Sequence, residues 1–334
     1  TEQFTLAYSE YALAQLGLTA EDMPATFDEL LDFLLAWDER VGDAAEQAGI
    51  TPFGAGTPNI QVKVKIVNDL MDLYFKLMEQ DASAIPRYEA ELAGLLDKLT
   101  QACAAMPEAP EAEPYVETDQ LFQRFQVVEE PSYLFMAYAS FLPGRRVFSN
   151  AESVSDFVPL ALSLPEQDAP MLLMDGTMFI VNPYSSHKRE ALQWLDFYVT
   201  HRPAADAAAL EQNAVPVESA LYTSMKTYFS EDLARLETRA QAAEGAAKGE
   251  LESRMEAARG RLRAAERIKW EVSAQALEDY ERMWEQSTVW WTDSFACADS
   301  FDTIYLRYFN EGLDGKTFAH AFFAANEMVL KESR

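Results

Sequence analysis

Between residues 230 and 286 an apolar residue recurs at every third or fourth position, and no proline interrupts the run. The stripe passes from Leu233 and Leu236 through Ala240, Leu251 and Ala258 to Ala276. That period belongs to an α-helix. The segment reads as a helical hairpin or as one long helix; residues 250–286 alone would span roughly 55 Å at 1.5 Å per residue. Gly245 and Gly249 bracket the candidate turn. The seam is rich in alanine, so two helices can approach closely while each buries little area. A packed antiparallel pair is the expected arrangement, and a coiled-coil dimer handle is the alternative.

The remaining sequence holds many helices and few strands. Ser9 to Gly17 reads as a short helix closed by Gly17. Thr26 followed by Glu29 is a capping box, and Phe27, Leu30, Leu31, Leu34, Leu35 and Val41 continue at helical spacing with one face buried. Residues 50–54 are short and extended. Ile60 to Gln80 is a helix with the stripe Ile60, Val64, Val67, Met71, Tyr74 and Met78, and Arg87 to Ala105 is another with Leu92, Leu95, Leu96 and Leu99 as its seam. Three prolines mark 106–118 as a loop or linker. Tyr133 to Phe141 suits a buried strand or a buried helix end. Phe157 to Leu164 and Thr177 to Val181 read as strands, with a hairpin signal at Asp175-Gly176. Ser186 is expected to cap a helix running to about His201 with Ala191, Leu192, Leu195 and Tyr198 inward. A final helix covers Thr317 to Lys331.

Charge excludes some functions. The 334 residues carry a net charge of −28. Nucleic-acid binding rests on clustered cations, and so does docking on an anionic bilayer. Most of the negative charge falls in the first third. It reads as a solvated acidic surface, with an acidic face for a cationic ligand as the other reading. The longest apolar run, Tyr133 to Leu142, falls short of the roughly 18 residues that a membrane-spanning helix needs. The chain opens at Thr1 with neither a basic start nor an apolar stretch, so it is expected to be an excised or processed piece.

The catalytic inventory is thin. Cys103 and Cys297 make neither a disulfide framework nor a thiolate zinc site. His187, His201 and His320 form no metal-spaced pair and read as helix-surface residues. Gly54-Ala55-Gly56-Thr57-Pro58 lacks the third glycine and the lysine of a phosphate-binding loop. No Gly-x-Ser-x-Gly elbow occurs. Neither cofactor nor metal is expected, and no enzyme activity. Aromatic residues, by contrast, reach 12%. Flat aromatic faces stack on the apolar faces of sugars, so carbohydrate-like ligands suit this composition.

Four stretches, in order, carry a family resemblance. The first is Tyr8-Ser9 to Leu16-Gly17-Leu18, then Pro24-Ala25-Thr26-Phe27-Asp28-Glu29-Leu30. The second is Gly49-Ile50-Thr51-Pro52-Phe53. The third is Phe157-Val158-Pro159-Leu160 through Gly176 to Asn182, with the helix from Lys188 to Val199 and the return Asn213-Ala214-Val215-Pro216-Val217. The fourth is Tyr308-Phe309-Asn310-Glu311-Gly312, then Thr317-Phe318. Together they resemble the extracellular solute-binding proteins of ABC importers, the two-lobed periplasmic-type receptors. That family starts with a signal peptide and a strand-rich first lobe, so the resemblance implies the second lobe plus C-terminal helices. The segment 230–286 is longer than the family's usual connector, and 106–118 has no counterpart in it.

The implied fold is α/β and helix-dominated: a small mixed sheet flanked by helices, with a long helical insertion. The implied organisation is a ligand-binding lobe over 1–228, the insertion over 229–286, and C-terminal helices over 287–334 packing on the lobe. The implied function is delivery of a small solute, a sugar or oligosaccharide, to a membrane permease. The full-length protein would be extracellular or periplasmic, anchored as a lipoprotein, with no direct membrane insertion by this part. By position in the resembling stretches, Phe53, Asn59, Ser140, Phe141, Tyr184 and Ser185 are the implied ligand-binding residues. Trp290 joins them because the adjacent Trp290 and Trp291 point in different directions, which leaves one free to be exposed. Arg145-Arg146 reads as a solvated loop pair or as a clamp for a ligand carboxylate or phosphate. The competing reading of the whole is a helical scaffold or protein-interaction module that works through 230–286.

Overall fold

The computed structural model describes residues 3–54, 58–107, 132–142, 145–146, 157–165, 167–174, 181–201, 216–266, 269–291 and 299–332. Among these, helices dominate and flank a small mixed sheet. The sheet comprises β1 (Gln3–Ser9), β2 (Thr51–Phe53), β3 (Tyr133–Leu142), β4 (Arg145–Arg146) and β5 (Phe157–Leu160). Its order is β2-β3-β1-β5, with β4 paired to the far end of β3. The β2–β3 pairing is parallel and the others are antiparallel. Tyr133 to Phe141, left open between strand and helix end, is therefore a strand. As a central strand, β1 is buried on both faces. Leu6 and Tyr8 face the main core, while Ala7 joins a small cluster with Phe157 on the other side.

Two short helices follow from their caps. In α1 (Glu10–Gln15) the Ser9 hydroxyl accepts from the Ala12 amide at 3.1 Å, and Gly17 leaves the helix at φ 71°. In α2 (Phe27–Leu35) the Thr26 hydroxyl accepts from the Glu29 amide at 3.1 Å. The Glu29 carboxylate reaches one residue further than the sequence pattern implied and accepts from Ala25 rather than from Thr26. The apolar run to Val41 is also not one helix. Ala36 breaks it, and α3 (Trp37–Ala48) follows, with Trp37 buried edge-on to Phe33, ring centroids 6.1 Å apart. The span read as a strand to Leu164 ends at Leu160. Beyond it Ser163 makes a single parallel bridge to Thr26: Phe27 donates to the Ser163 carbonyl at 3.0 Å, and Ser163 donates to that of Ala25 at 2.9 Å.

The long helices α4 (Asn59–Gln80) and α5 (Ile85–Ala105) pack together, and α4 also lies against β3. The expected stripe on α4 needs correction. Val67, Met71, Tyr74 and Met78 are buried, but Ile60 is 47% exposed, and the helix also buries Val62, Ile66, Leu70, Leu73 and Leu77. It is covered on more than one side because both helices and strands lie against it.

Further along are β6 (Met171–Met174), α6 (Lys188–Thr200), β7 (Val217–Glu218), α7 (Ala220–Gln241), α8 (Gly245–Glu266), β8 (Trp270–Val272), α9 (Ala274–Gln286), β9 (Thr288–Trp291), α10 (Asp299–Asn310) and α11 (Gly315–Glu332). β6 pairs in parallel with β9. The hairpin turn at Asp175-Gly176 and residues 177–180 of the adjoining strand lie outside the described residues; Val181 has no regular structure.

The helix after that strand departs from expectation twice. Ser186 does not cap it. The N-cap is His187, because Asn182 first holds a turn, its side chain accepting from the Tyr184 amide at 2.9 Å. Leu192 and Tyr198 do not point inward either. They are 56% and 52% exposed, beside Trp194 and Phe197 at 55% and 57%.

Of the two readings for 230–286, the structure is a hairpin, shifted toward the N-terminus. α7 and α8 lie side by side, joined by a turn that ends at Gly245, where φ is 60°. Gly249 lies inside α8. Leu236, Ala240, Leu251 and Ala258 form one apolar cluster along the pair, and Tyr222, Met225, Phe229 and Ala265 form another near its base. The base is closed by the antiparallel β7–β8 ladder. α9 lies beyond the hairpin and leans on β4 and β5. α10 and α11 return to the main core, where the Tyr308 hydroxyl donates to the Leu96 carbonyl of α5 at 3.0 Å and Tyr305 donates to Asn68 of α4 at 2.9 Å.

Candidate functional site

The residues singled out in the sequence lie on several elements. Phe53 ends β2 and is 2% exposed, packed on Phe135 with ring centroids 5.8 Å apart. Gly54 follows it with the Tyr133 ring pressed so close that an added Cβ would sit 2.9 Å from it. Asn59 opens α4, and its amide nitrogen donates to the carbonyls of Cys103 at 3.0 Å and Met106 at 3.3 Å. It thereby ties the start of α4 to the end of α5, whose last carbonyls have no partner within their own helix.

Ser140 and Phe141 lie on β3 opposite Phe4 and Gln3. Phe53 is opposite Phe135, so Phe141 is roughly 20 Å further along the sheet at about 3.3 Å per residue. Tyr184 is 94% exposed. Ser185 is part of the turn before α6: its amide donates to Asn182, and its hydroxyl accepts from the His187 amide at 3.1 Å. Trp290 sits on β9 opposite Leu173. Arg145 and Arg146 form β4 opposite Leu142 and Phe141. The side chains of Ser140, Phe141, Trp290, Arg145 and Arg146 lie outside the described residues. Among those described, Phe53 and Asn59 share the β2–α4 region, while Tyr184 and Ser185 sit apart on the α6 turn.

The reading of the sequence missed a charged face on α4. Lys65, Asp69, Asp72 and Lys76 are spaced by four, three and four residues, so they share one side of the helix. Lys65 is 4% and Lys76 6% exposed. Lys65 pairs with Asp69, and Lys76 pairs with Glu79 at 3.1 Å. Burial, reinforced by the charge of Asp69, pushes the Asp72 carboxyl up to about 7; Lys65 and Lys76 pull it the other way. Burial also raises Asp69, against the pull of Lys65. A carboxyl that titrates near neutrality can hold or release a proton. Perturbed groups of this kind concentrate at functional sites. The signal was present in the spacing: Lys65, Asp69, Asp72 and Lys76 line one side of a helix that is otherwise mostly apolar.

A second set of polar groups lies where α4, α5 and α10 meet. The Lys63 ammonium sits 4.1 Å from the centre of the Tyr308 ring, and burial lowers its pKa. Burial pushes the neighbouring Cys103 thiol up to about 11, so it stays protonated and unreactive at neutral pH. Among the described residues no group of three or more His, Cys, Asp or Glu is placed to hold a metal ion, and no helix is long and apolar enough to cross a membrane. Compared with known proteins, the chain matches no family model, no curated protein and no solved structure.

Proposed function

We propose that the chain is the second lobe of the solute-binding protein of an ABC importer, and that it helps deliver a sugar or oligosaccharide to a membrane permease. In this reading the full-length protein works outside the cytoplasm, anchored as a lipoprotein, and catalyses no reaction. The lobe supplies one wall of a cleft that closes by a hinge motion around the solute.

The observation that carries the reading is the Thr26–Ser163 junction. It joins two of the resembling stretches, Pro24–Leu30 and the one that opens at Phe157, through reciprocal backbone hydrogen bonds. The strands β1 and β5 of these stretches are neighbours in the sheet, and Tyr308 of the fourth stretch donates to the Leu96 carbonyl of α5. The solute-binding residues of this reading are Phe53, Asn59, Ser140, Phe141, Tyr184, Ser185 and Trp290; of these, Phe53 is 2% exposed and Asn59 is hydrogen-bonded to Cys103 and Met106, so both would act by shaping the wall.

Thermal-shift measurement of the full-length protein against a panel of mono- and oligosaccharides tests the proposal. A ligand that binds only the folded state raises its stability, so at least one sugar should raise Tm. No shift with any sugar in the panel, at concentrations up to millimolar, overturns the sugar assignment. No shift with a broader panel of small solutes overturns the receptor reading.

A second reading, a helical scaffold or interaction module, draws support from the α7–α8 hairpin. Its two apolar clusters are separate from the main core, and it is closed at its own base. Replacing 220–266 by a short linker should then abolish capture of a protein partner while leaving the rest of the chain folded.

A further inference from the structure

No further inference is drawn: the strongest candidate, the exposed patch on α6 formed by Leu192, Trp194, Phe197 and Tyr198, carries nothing because no described residue shows what covers it.

Discussion

The backbone amide of Gly315 donates to the Asp97 carboxylate at 2.8 Å, joining the first residue of α11 to the middle of α5 across 218 positions of sequence. The approach is close enough that a Cβ on Gly315 would lie 2.6 Å from the Ala93 carbonyl oxygen and 2.7 Å from Asp97. The Asp97 carboxylate is a side-chain end, but the Ala93 carbonyl is backbone and cannot swing aside, so α11 has to shift to admit a methyl group. Gly315→Ala is therefore expected to lower the urea midpoint, costing about 1–3 kcal/mol as overpacking does. Asp97→Asn keeps the shape and weakens a charge-assisted bond at a helix start, so it should cost less. If G315A matches the parent in its urea midpoint, the close docking of α11 on α5 is wrong.

Thr26 caps α2 and also forms the bridge to Ser163. Thr26→Ala removes the hydroxyl that accepts from the Glu29 amide, a loss of about 1 kcal/mol. Thr26→Ser keeps the acceptor and should recover most of it. The backbone bonds between Ala25, Phe27 and Ser163 survive both substitutions. Hydrogen exchange at the Phe27 and Ser163 amides should then stay slow in T26S and rise only modestly in T26A.

Asp72 predicts a pH dependence with a definite sign. Its carboxyl is raised from an ordinary 3.8 to about 7 in the folded protein. Between those values the folded chain holds a proton that the unfolded chain has released, so stability falls as pH rises from about 4 to 7. Asp69, Lys65 and Lys76 are the charged groups that act on it. Asp72→Asn removes the titration. The variant should match the parent near pH 4 and exceed it above pH 7, by on the order of 1–2 kcal/mol once part of the shift is discounted for residual solvent access. Urea midpoints collected from pH 4 to 8.5 decide it: a constant difference between variant and parent would remove Asp72 from the account.

How much of this was legible in the sequence depended on how local the cause was. The starts of α1 and α2 could be read because Ser9 and Thr26 act on amides within three residues. α4 and α5 could be read because their apolar period is long. The sheet order could not, since β2 and β3 pair across about 80 positions and nothing local to Thr51 selects Tyr133. The orientation of α6 was misread because an apolar stripe says that a helix has a face to bury, not which surface buries it; Leu192 and Tyr198 are exposed here. The charged face of α4 was passed over because charges are usually solvated, and only burial on the other sides of the helix draws Lys65 and Lys76 inside. As for the candidate site, Asn59 was found by position, yet its hydrogen bonds to Cys103 and Met106 required the fold to bring α5 alongside.

The α7–α8 hairpin yields the last prediction. At its base the buried Tyr222 hydroxyl donates to Glu266 at 2.7 Å and accepts from Lys226 at 3.0 Å, while Ser219 donates to the Lys269 carbonyl at 2.8 Å beside the β7–β8 ladder. Tyr222→Phe keeps the ring within its apolar cluster but leaves Glu266 and Lys226 without the hydroxyl between them. Hydrogen bonds to charged groups are stronger than those between neutral groups, and this one closes a unit whose apolar clusters are separate from the main core. The loss should therefore stay local. Amides of α7 and α8 near the base are expected to exchange faster by one to two orders of magnitude, with those of α4 and α5 unchanged. Equal acceleration in α4 and α5 would show that the hairpin and the sheet-centred core open together, and that the hairpin is not an independent unit.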